Sequence, residues 1–509
     1  MLIHYFLEAS TRSLPDKVAL VHEEVRATYR EINAAANRLA HWLLADNVLP
    51  GDRVAILLEN SLEYVISYYG ILKAGAVAVP LSTDHKPESL RPLLAELEAK
   101  AIISNSRFER LLQATELPPS LSLIISQPKK SWPSSLRLVA WDEVLAGDQS
   151  TNPDLSLPAT SLASIIYTSG STGKPKGVML SHHNIVSNTN SICSYLQLTA
   201  DDIQMVVLPF FYVMGKSLLN THVAVGGRLI INNKFAFPAT VLQQMAAEQV
   251  TGFAGVPSTY AYLLHRSPLK NYRDKLPALR YCSQAGGHMA TTVKEELRRT
   301  LPDHTAIVIM YGATEASARL TYLDPANFAD KIESIGKPIP GVSMKVVDEN
   351  GLEVAVGEMG ELVATGANIA AGYWRDPETT AKKFDHQGYH TGDHGYVDVD
   401  GFFHIIGRKD NLLKVGGHRI NTQEIEDDLL AGGQVVEAAV VGLPDPLLGN
   451  RLAALVVPAS PEATREAIIA ACAARLPKYK LPATIKLLRA LPKKASGKID
   501  RDKCRSLVD

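Results

Sequence analysis

Residues 167–178 read Y-T-S-G-S-T-G-K-P-K-G-V. They pack three glycines, four Ser or Thr hydroxyls and two lysines into twelve positions. The S-I-I run at 164–166 just before them is β-branched and reads as the end of a strand. A loop of this make-up brings backbone N–H groups, hydroxyls and ammonium donors onto an anion. Its spacing is not that of the G-x-x-x-x-G-K-[ST] phosphate loop. Counting back from Gly173-Lys174 puts Thr168 where the first glycine belongs, and Pro175 follows the lysine in place of Ser or Thr. Proline also disfavours a helical Lys174. Taken alone, the stretch is a phosphate cradle of another geometry or a Ser/Gly-rich loop with no ligand. The rest of the chain decides.

A length of 509 residues predicts roughly two to four domains. The composition, 46% hydrophobic and 21% charged, is that of a globular chain, and a net charge of -1 argues against nucleic acid as a partner. No run of about 18 apolar residues marks a membrane span. Glu8 interrupts the start where a secretory signal needs apolar continuity, so a cytoplasmic location is expected. Cys193, Cys282, Cys472 and Cys504 lie far apart, with no C-x-x-C, which predicts reduced thiols and no zinc site. No G-x-G occurs among 34 glycines, which excludes the dinucleotide fingerprint. G-x-S-x-G and H-E-x-x-H are absent as well.

Apolar residues at helical spacing over 28–48 precede a strand-like D-R-V-A-I-L-L. A second helical stretch, 61–75, precedes A-V-A-V-P-L. This alternation predicts a parallel sheet covered by helices, and a second round runs from 201 to 310. Proline and serine clusters between 117 and 160 predict loops. Asn-Gly and Asp-Gly turns inside V-V-D-E-N-G-L-E-V and Y-V-D-V-D-G-F-F-H-I-I-G predict hairpins in a smaller β-rich section. From about 411 the pattern is compact α+β, and a boundary is placed at Asp410.

Five further stretches then fall into order: Y-G-A-T-E (311–315), T-G-D (391–393), G-R-K-D-N-L-L-K-V-G-G-H-R-I (407–420), L-P-K-Y-K-L-P (476–482) and K-K-A-S-G-K-I-D-R (493–501). Together with the opening loop they resemble the adenylate-forming superfamily, which includes AMP-forming acyl- and aryl-CoA synthetases, the adenylation domains of peptide synthetases, and luciferases. The resemblance covers nearly the whole chain. It implies an α/β multidomain fold: a large N-terminal AMP-binding domain (1–409) and a mobile α+β C-terminal domain (410–509) hinged near Asp410.

It also implies a chemistry that elementary principles support. A carboxylate is a poor acylating agent, and joining it to the α-phosphate of ATP supplies a good leaving group. Both reactants are anions, so positive charge must be gathered around them and the pair held in line. By resemblance Thr168, Ser169, Gly170, Ser171, Thr172, Gly173 and Lys176 hold the β- and γ-phosphates. Glu315, with Thr168, serves Mg²⁺, which favours a few oxygen ligands plus phosphate. Tyr311 lies by adenine, Thr314 by the α-phosphate, and Gly312, Ala313, Gly286 and Gly287 form nucleotide wall. Asp393 takes the ribose hydroxyls, with Arg408 as a second candidate. Lys498, a compact charge on a long stem, is the expected catalytic residue, with Thr314 and Glu315 beside it. After adenylation the C-terminal domain turns, and Gly416, Gly417 and Lys414 line a pantetheine tunnel for the thiol of CoA or of a carrier-protein phosphopantetheine.

The acyl-site stretch departs from the family pattern. L-P-F-F-Y-V-M-G (208–215) carries Tyr212 where histidine is usual, and tyrosine supplies no cation near neutral pH. Nothing from 209 to 219 is acidic, so an α-amino acid with its ammonium is disfavoured. Tyr212, Val213 and Met214 are taken as acyl-binding; with Phe210 and Phe211 they could line the site or fill the core. An apolar carboxylic acid is the expected substrate, and free CoA is favoured over a carrier protein as acceptor.

Overall fold

The computed structural model describes residues 1–508 except 128–131, 133–135, 170–174, 409–411, 416–417 and 447. Two large sheets carry the N-terminal part. The first has seven strands, in spatial order Arg137–Ala140, Leu123–Ser126, Ala101–Ile103, Arg53–Ile56, Val77–Pro80, Leu162–Ser169 and Pro175–Ser181. All pair in parallel except the last two, which form an antiparallel hairpin around 170–174. The second has nine strands, running from Lys337–Pro338 at one edge to Val25–Thr28 at the other. Its six strands from Ala306–Tyr311 across to Val18–His22 pair in parallel, as the second round of alternation predicts, and Thr321–Leu323, Lys337–Pro338 and Val25–Thr28 add antiparallel at the two ends.

Helices fill the space between the sheets. Thr28 caps the helix Tyr29–Ala45 through a capping box with Glu31, and Ser61 caps Leu62–Lys73. Their apolar faces, including Leu39, Leu43, Tyr68 and Leu72, share one core with Val54 and Ile56 of the first sheet and Leu229 and Ile231 of the second. Burying that shared core fixes how the two sheets lie against each other.

The expectation of loops over 117–160 is corrected. Leu123–Ser126 and Arg137–Ala140 are parallel strands, the second at the sheet edge, and Trp141–Leu145 is a short helix. Four-residue strands give too short a pattern to stand out among the prolines and serines around them. The expected helix over 28–48 ends at Ala45.

Residues 342–408 form a five-stranded antiparallel sheet, and its strands Gly388–Val397 and Phe403–Arg408 turn at Asp398–Gly401, as the Asp-Gly signal predicts. Beyond it, the hairpin Leu412–Val415/His418–Asn421 and the three-stranded sheet Val435–Asp445, Gly449–Pro458 and Thr484–Leu487 pack with helices Thr422–Ala431 and Arg465–Ala473. This last part has apolar clusters of its own. Its contacts with the rest of the chain include Ser258 Oγ donating to Gly497 O at 2.5 Å, His288 at 2.9 Å from Asp427, and Leu430 packed against an apolar cluster of the N-terminal part. The boundary and hinge expected at Asp410 lie outside the described residues.

Candidate active site

In open α/β sheets, ligands bind beyond the carboxyl ends of the strands. Four strands of the nine-stranded sheet end on one cavity. Ile203–Val206 leads to Leu208–Gly215, Gly252–Gly255 to Val256, Tyr281–Gln284 to Ala285-Gly286, and Ala306–Tyr311 to Gly312–Glu315. The hairpin of the other sheet adds Tyr167, Thr168 and Lys176, and the C-terminal part adds Lys494, Ser496 and Lys498. The cavity measures about 410 Å³, within the range of small-molecule sites.

This cavity brings together most of the residues that the sequence singles out: Thr168, Lys176, Tyr212, Val213, Met214, Gly286, Gly312, Ala313, Thr314, Glu315, Arg408 and Lys498. Tyr311 and Asp393 stand behind its wall. Gly287 faces an adjoining cavity of about 270 Å³, which Gly286, Gly497 and Lys498 also line. Ser169 closes its strand. Lys414 sits on the C-terminal hairpin and is not among the lining residues. Gly170, Ser171, Thr172, Gly173, Asp410, Gly416 and Gly417 lie outside the described residues. Phe210 is core, with its ring 5.4 Å from that of Tyr64, and Phe211 is buried too, so only Val213 and Met214 of that apolar group line the cavity.

The segment 208–214 is pinned from below. Asn60 donates Nδ2–H to Leu208 O at 2.9 Å and accepts the Phe210 N–H at 2.7 Å. The Tyr64 hydroxyl donates to Phe210 O at 3.0 Å. Tyr212 therefore projects from a fixed backbone. Burial raises its pKa, and its hydroxyl lies against Ser496, so it stays a neutral O–H. On the opposite wall, the turn after Tyr311 is very tight. A Cβ on Gly312 would fall 2.0 Å from Ala318 O, which only glycine avoids. The chain then passes Ser317 and Ala318 with φ of 57° and 131°, a conformation that non-glycine residues rarely hold.

Charge in the cavity is one-sided. Among the described residues, Lys176, Arg319, Lys383, Arg408, Lys494 and Lys498 line it against the single carboxylate of Glu315. Glu315 Oε1 accepts the Tyr373 hydroxyl at 2.8 Å, and burial together with that carboxylate raises the pKa of Tyr373. Asp393 is 9% exposed; its Oδ2 accepts the Tyr311 hydroxyl at 2.6 Å and its Oδ1 accepts Arg408 Nε–H at 2.7 Å. Asp393 in turn raises the pKa of Arg408. Lys176 donates to Thr379 Oγ1 at 2.9 Å. Lys498 stands in the cavity's solvent yet is surrounded by protein. That burial, then the Arg408 charge, pulls its pKa below the usual lysine value. Gly286, with φ of 85°, passes so close that a Cβ there would meet Lys498 Cε at 3.4 Å. Sequence reasoning missed Arg319, Lys383 and Tyr373. Lys494 and Ser496 lay within the quoted K-K-A-S-G-K motif and could have been drawn from it.

The AMP-binding enzyme family model matches residues 7–374, and the AMP-binding enzyme C-terminal domain matches 424–498. The chain belongs to the AMP-binding enzyme family. It is 32% identical over 497 residues to a feruloyl-CoA synthase of Amycolatopsis sp, covering 97% of this chain and 96% of that one. It is 30% identical over 511 residues to a medium-chain fatty-acid–CoA ligase of Escherichia coli, covering 97% and 88%. Among solved structures, the anthranilate CoA ligase AuaEII in complex with anthranoyl-AMP superposes with a TM-score of 0.90 at 26% identity, covering 100% of this chain and 97% of that one. No helix among the described residues is long and apolar enough to cross a membrane.

Proposed function

We propose that this AMP-binding enzyme activates a carboxylic acid with ATP to an acyl-adenylate, releasing pyrophosphate, and then passes the acyl group to the thiol of CoA. The observation that carries the reading is the cavity, lined among the described residues by six cations and one carboxylate. Such a field suits a triphosphate and a second anion brought against it, and two negative reactants approach only when their charge is offset. The adenylate-forming ligase class follows from family membership and from relatives that match along almost their whole length.

Each residue then has a task. Lys176, with the 170–174 loop, neutralises the outer phosphates. Thr314 and Lys498 serve the α-phosphate as charge moves onto it. Asp393, held by Tyr311 and Arg408, accepts the ribose hydroxyls with its remaining lone pairs. Tyr212, Val213 and Met214 border the acyl group, and Tyr212 offers one O–H in place of a cation. Glu315 fits Mg²⁺, because among the described residues its Oε2 takes no hydrogen bond while Oε1 is fixed by Tyr373. The described residues contain no group of three His, Cys, Asp or Glu able to cage a metal by themselves, which suits an ion held largely by phosphate. A bound ion would supply positive charge against the phosphate oxygens. We assign the second step to a rotation about the region of Asp410, which withdraws Lys498 and brings Lys414, Gly416 and Gly417 to the thiol. We place the reaction in the cytoplasm.

Acid-dependent ATP–pyrophosphate exchange across a panel of acids tests the first step. Thioester formation, with free CoA against carrier-protein phosphopantetheine, tests the second. No exchange with any acid, in folded protein with magnesium, overturns the reading.

A further inference from the structure

Arg319 is a buried cation without a counter-charge. It is 2% exposed, yet among the described residues no aspartate or glutamate comes within ion-pair distance of it. Its Nε–H points to the Met310 sulfur at 3.2 Å, and one Nη donates to the carbonyl of its own neighbour Ala318 at 3.1 Å. The Tyr195 hydroxyl lies beside it. All three partners are neutral. A guanidinium cannot escape by losing its proton, and burying a cation without an anion is costly. Arg319 also lines the substrate cavity, four residues past Glu315. Two of its partners join it to an apolar region: Met310 belongs to a buried cluster with Leu208, Met214 and Val256, and Tyr195 packs against that cluster. Met214, which borders the acyl group in the reading above, belongs to that cluster and lines the cavity with Arg319.

We propose that Arg319 is a specificity-determining residue that pairs with a second carboxylate at the far end of the acyl substrate, so that the preferred acid is a dicarboxylic acid with an apolar middle. One carboxylate meets ATP at Thr314 and Lys498; the other supplies the negative charge that Arg319 lacks. The guanidinium fork matches a carboxylate with two parallel hydrogen bonds. This rests on the adenylating reading above and names its substrate class.

The test compares straight-chain dicarboxylic acids of three to eight carbons with monocarboxylic acids of equal length in ATP–pyrophosphate exchange, with wild type, Arg319→Lys and Arg319→Met. In wild type the best diacid exceeds its monoacid partner in kcat/KM by about a hundredfold, the scale of a desolvated charge pair. Arg319→Met loses that preference and accepts the monoacid, while Arg319→Lys keeps part of it. The wild-type ratio stands even if a variant fails to fold. A monoacid used as well as or better than every diacid by wild type overturns the proposal and leaves the adenylating reading intact. No exchange with any acid overturns both.

Discussion

Replacing Lys498 with alanine isolates the charge expected to work in the adenylation step. The side chain makes no ion pair among the described residues, so little stability depends on it. The backbone contacts of its loop, Lys494 N–H to Lys498 O at 2.8 Å and Gly497 N–H to Lys494 O at 2.8 Å, survive the change. The folded chain should keep its melting temperature to within a degree or two. The effect on rate is far larger. A unit charge about 4 Å from developing negative charge contributes roughly 4 kcal/mol at an effective dielectric constant near 20. Five other cations line the same cavity and share the load. About 3 kcal/mol, or a loss of 10²–10³-fold in ATP–pyrophosphate exchange, is expected, in line with the cost of removing one donor from a preorganised anion site. Transfer from a synthetic acyl-adenylate to CoA should fall much less. The pH profile adds a separate signature. The cationic form is the working one, and burial lowers its pKa, so wild-type exchange declines as pH rises through a value below the usual lysine range. That limb disappears in Lys498→Ala. Unchanged exchange, or equal loss in both half-reactions, refutes the reasoning.

Asp393→Asn breaks the charge pair with Arg408 and weakens the acceptor for Tyr311; KM for ATP should rise on the order of thirtyfold, as read by exchange at fixed acid. Asn60→Ala orphans the Leu208 carbonyl and the Phe210 N–H; at about 1–3 kcal/mol for each buried group it should lower the denaturation midpoint and, by loosening Tyr212 and Met214, raise KM for the acid more than for ATP. Lys294 is 4% exposed and burial pulls its pKa down to about 8. The unfolded chain therefore binds more protons between pH 8 and 10.5, so this residue's contribution to stability rises with pH through that window. Relative to Lys294→Met, wild type should gain up to about 3 kcal/mol from pH 8 to 10.5 in urea titrations; a constant difference contradicts this.

The site was legible in proportion to how local its chemistry is. Y-T-S-G-S-T-G-K and Y-G-A-T-E carry their meaning in consecutive residues, and the fold brings Thr168, Lys176, Thr314 and Glu315 to one cavity with Lys498. The helix Tyr29–Ala45 announced itself by period, and the structure adds the capping box of Thr28 with Glu31 at its start. The strands at 123–126 and 137–140 were hidden because four apolar-leaning residues between prolines carry no period to read. Whether Phe210 faced the acid or the core turned on one residue of phase, and the hydrogen bond that its N–H donates to Asn60, 150 positions away, helps to fix it. Arg319 stood in plain view after the Y-G-A-T-E motif. Its meaning lies in which acids are not near it, and that is a property of the whole packed molecule.

The tight passage from Gly312 to Arg319 ties both ends of the reaction chamber to a single short piece of backbone. Because Gly312 touches Ala318, neither end can drift without the other. Such a segment acts as a ruler: it would grade acids by reach as well as by charge, and one residue inserted between 315 and 319 should change the favoured chain length and the hold on ATP together.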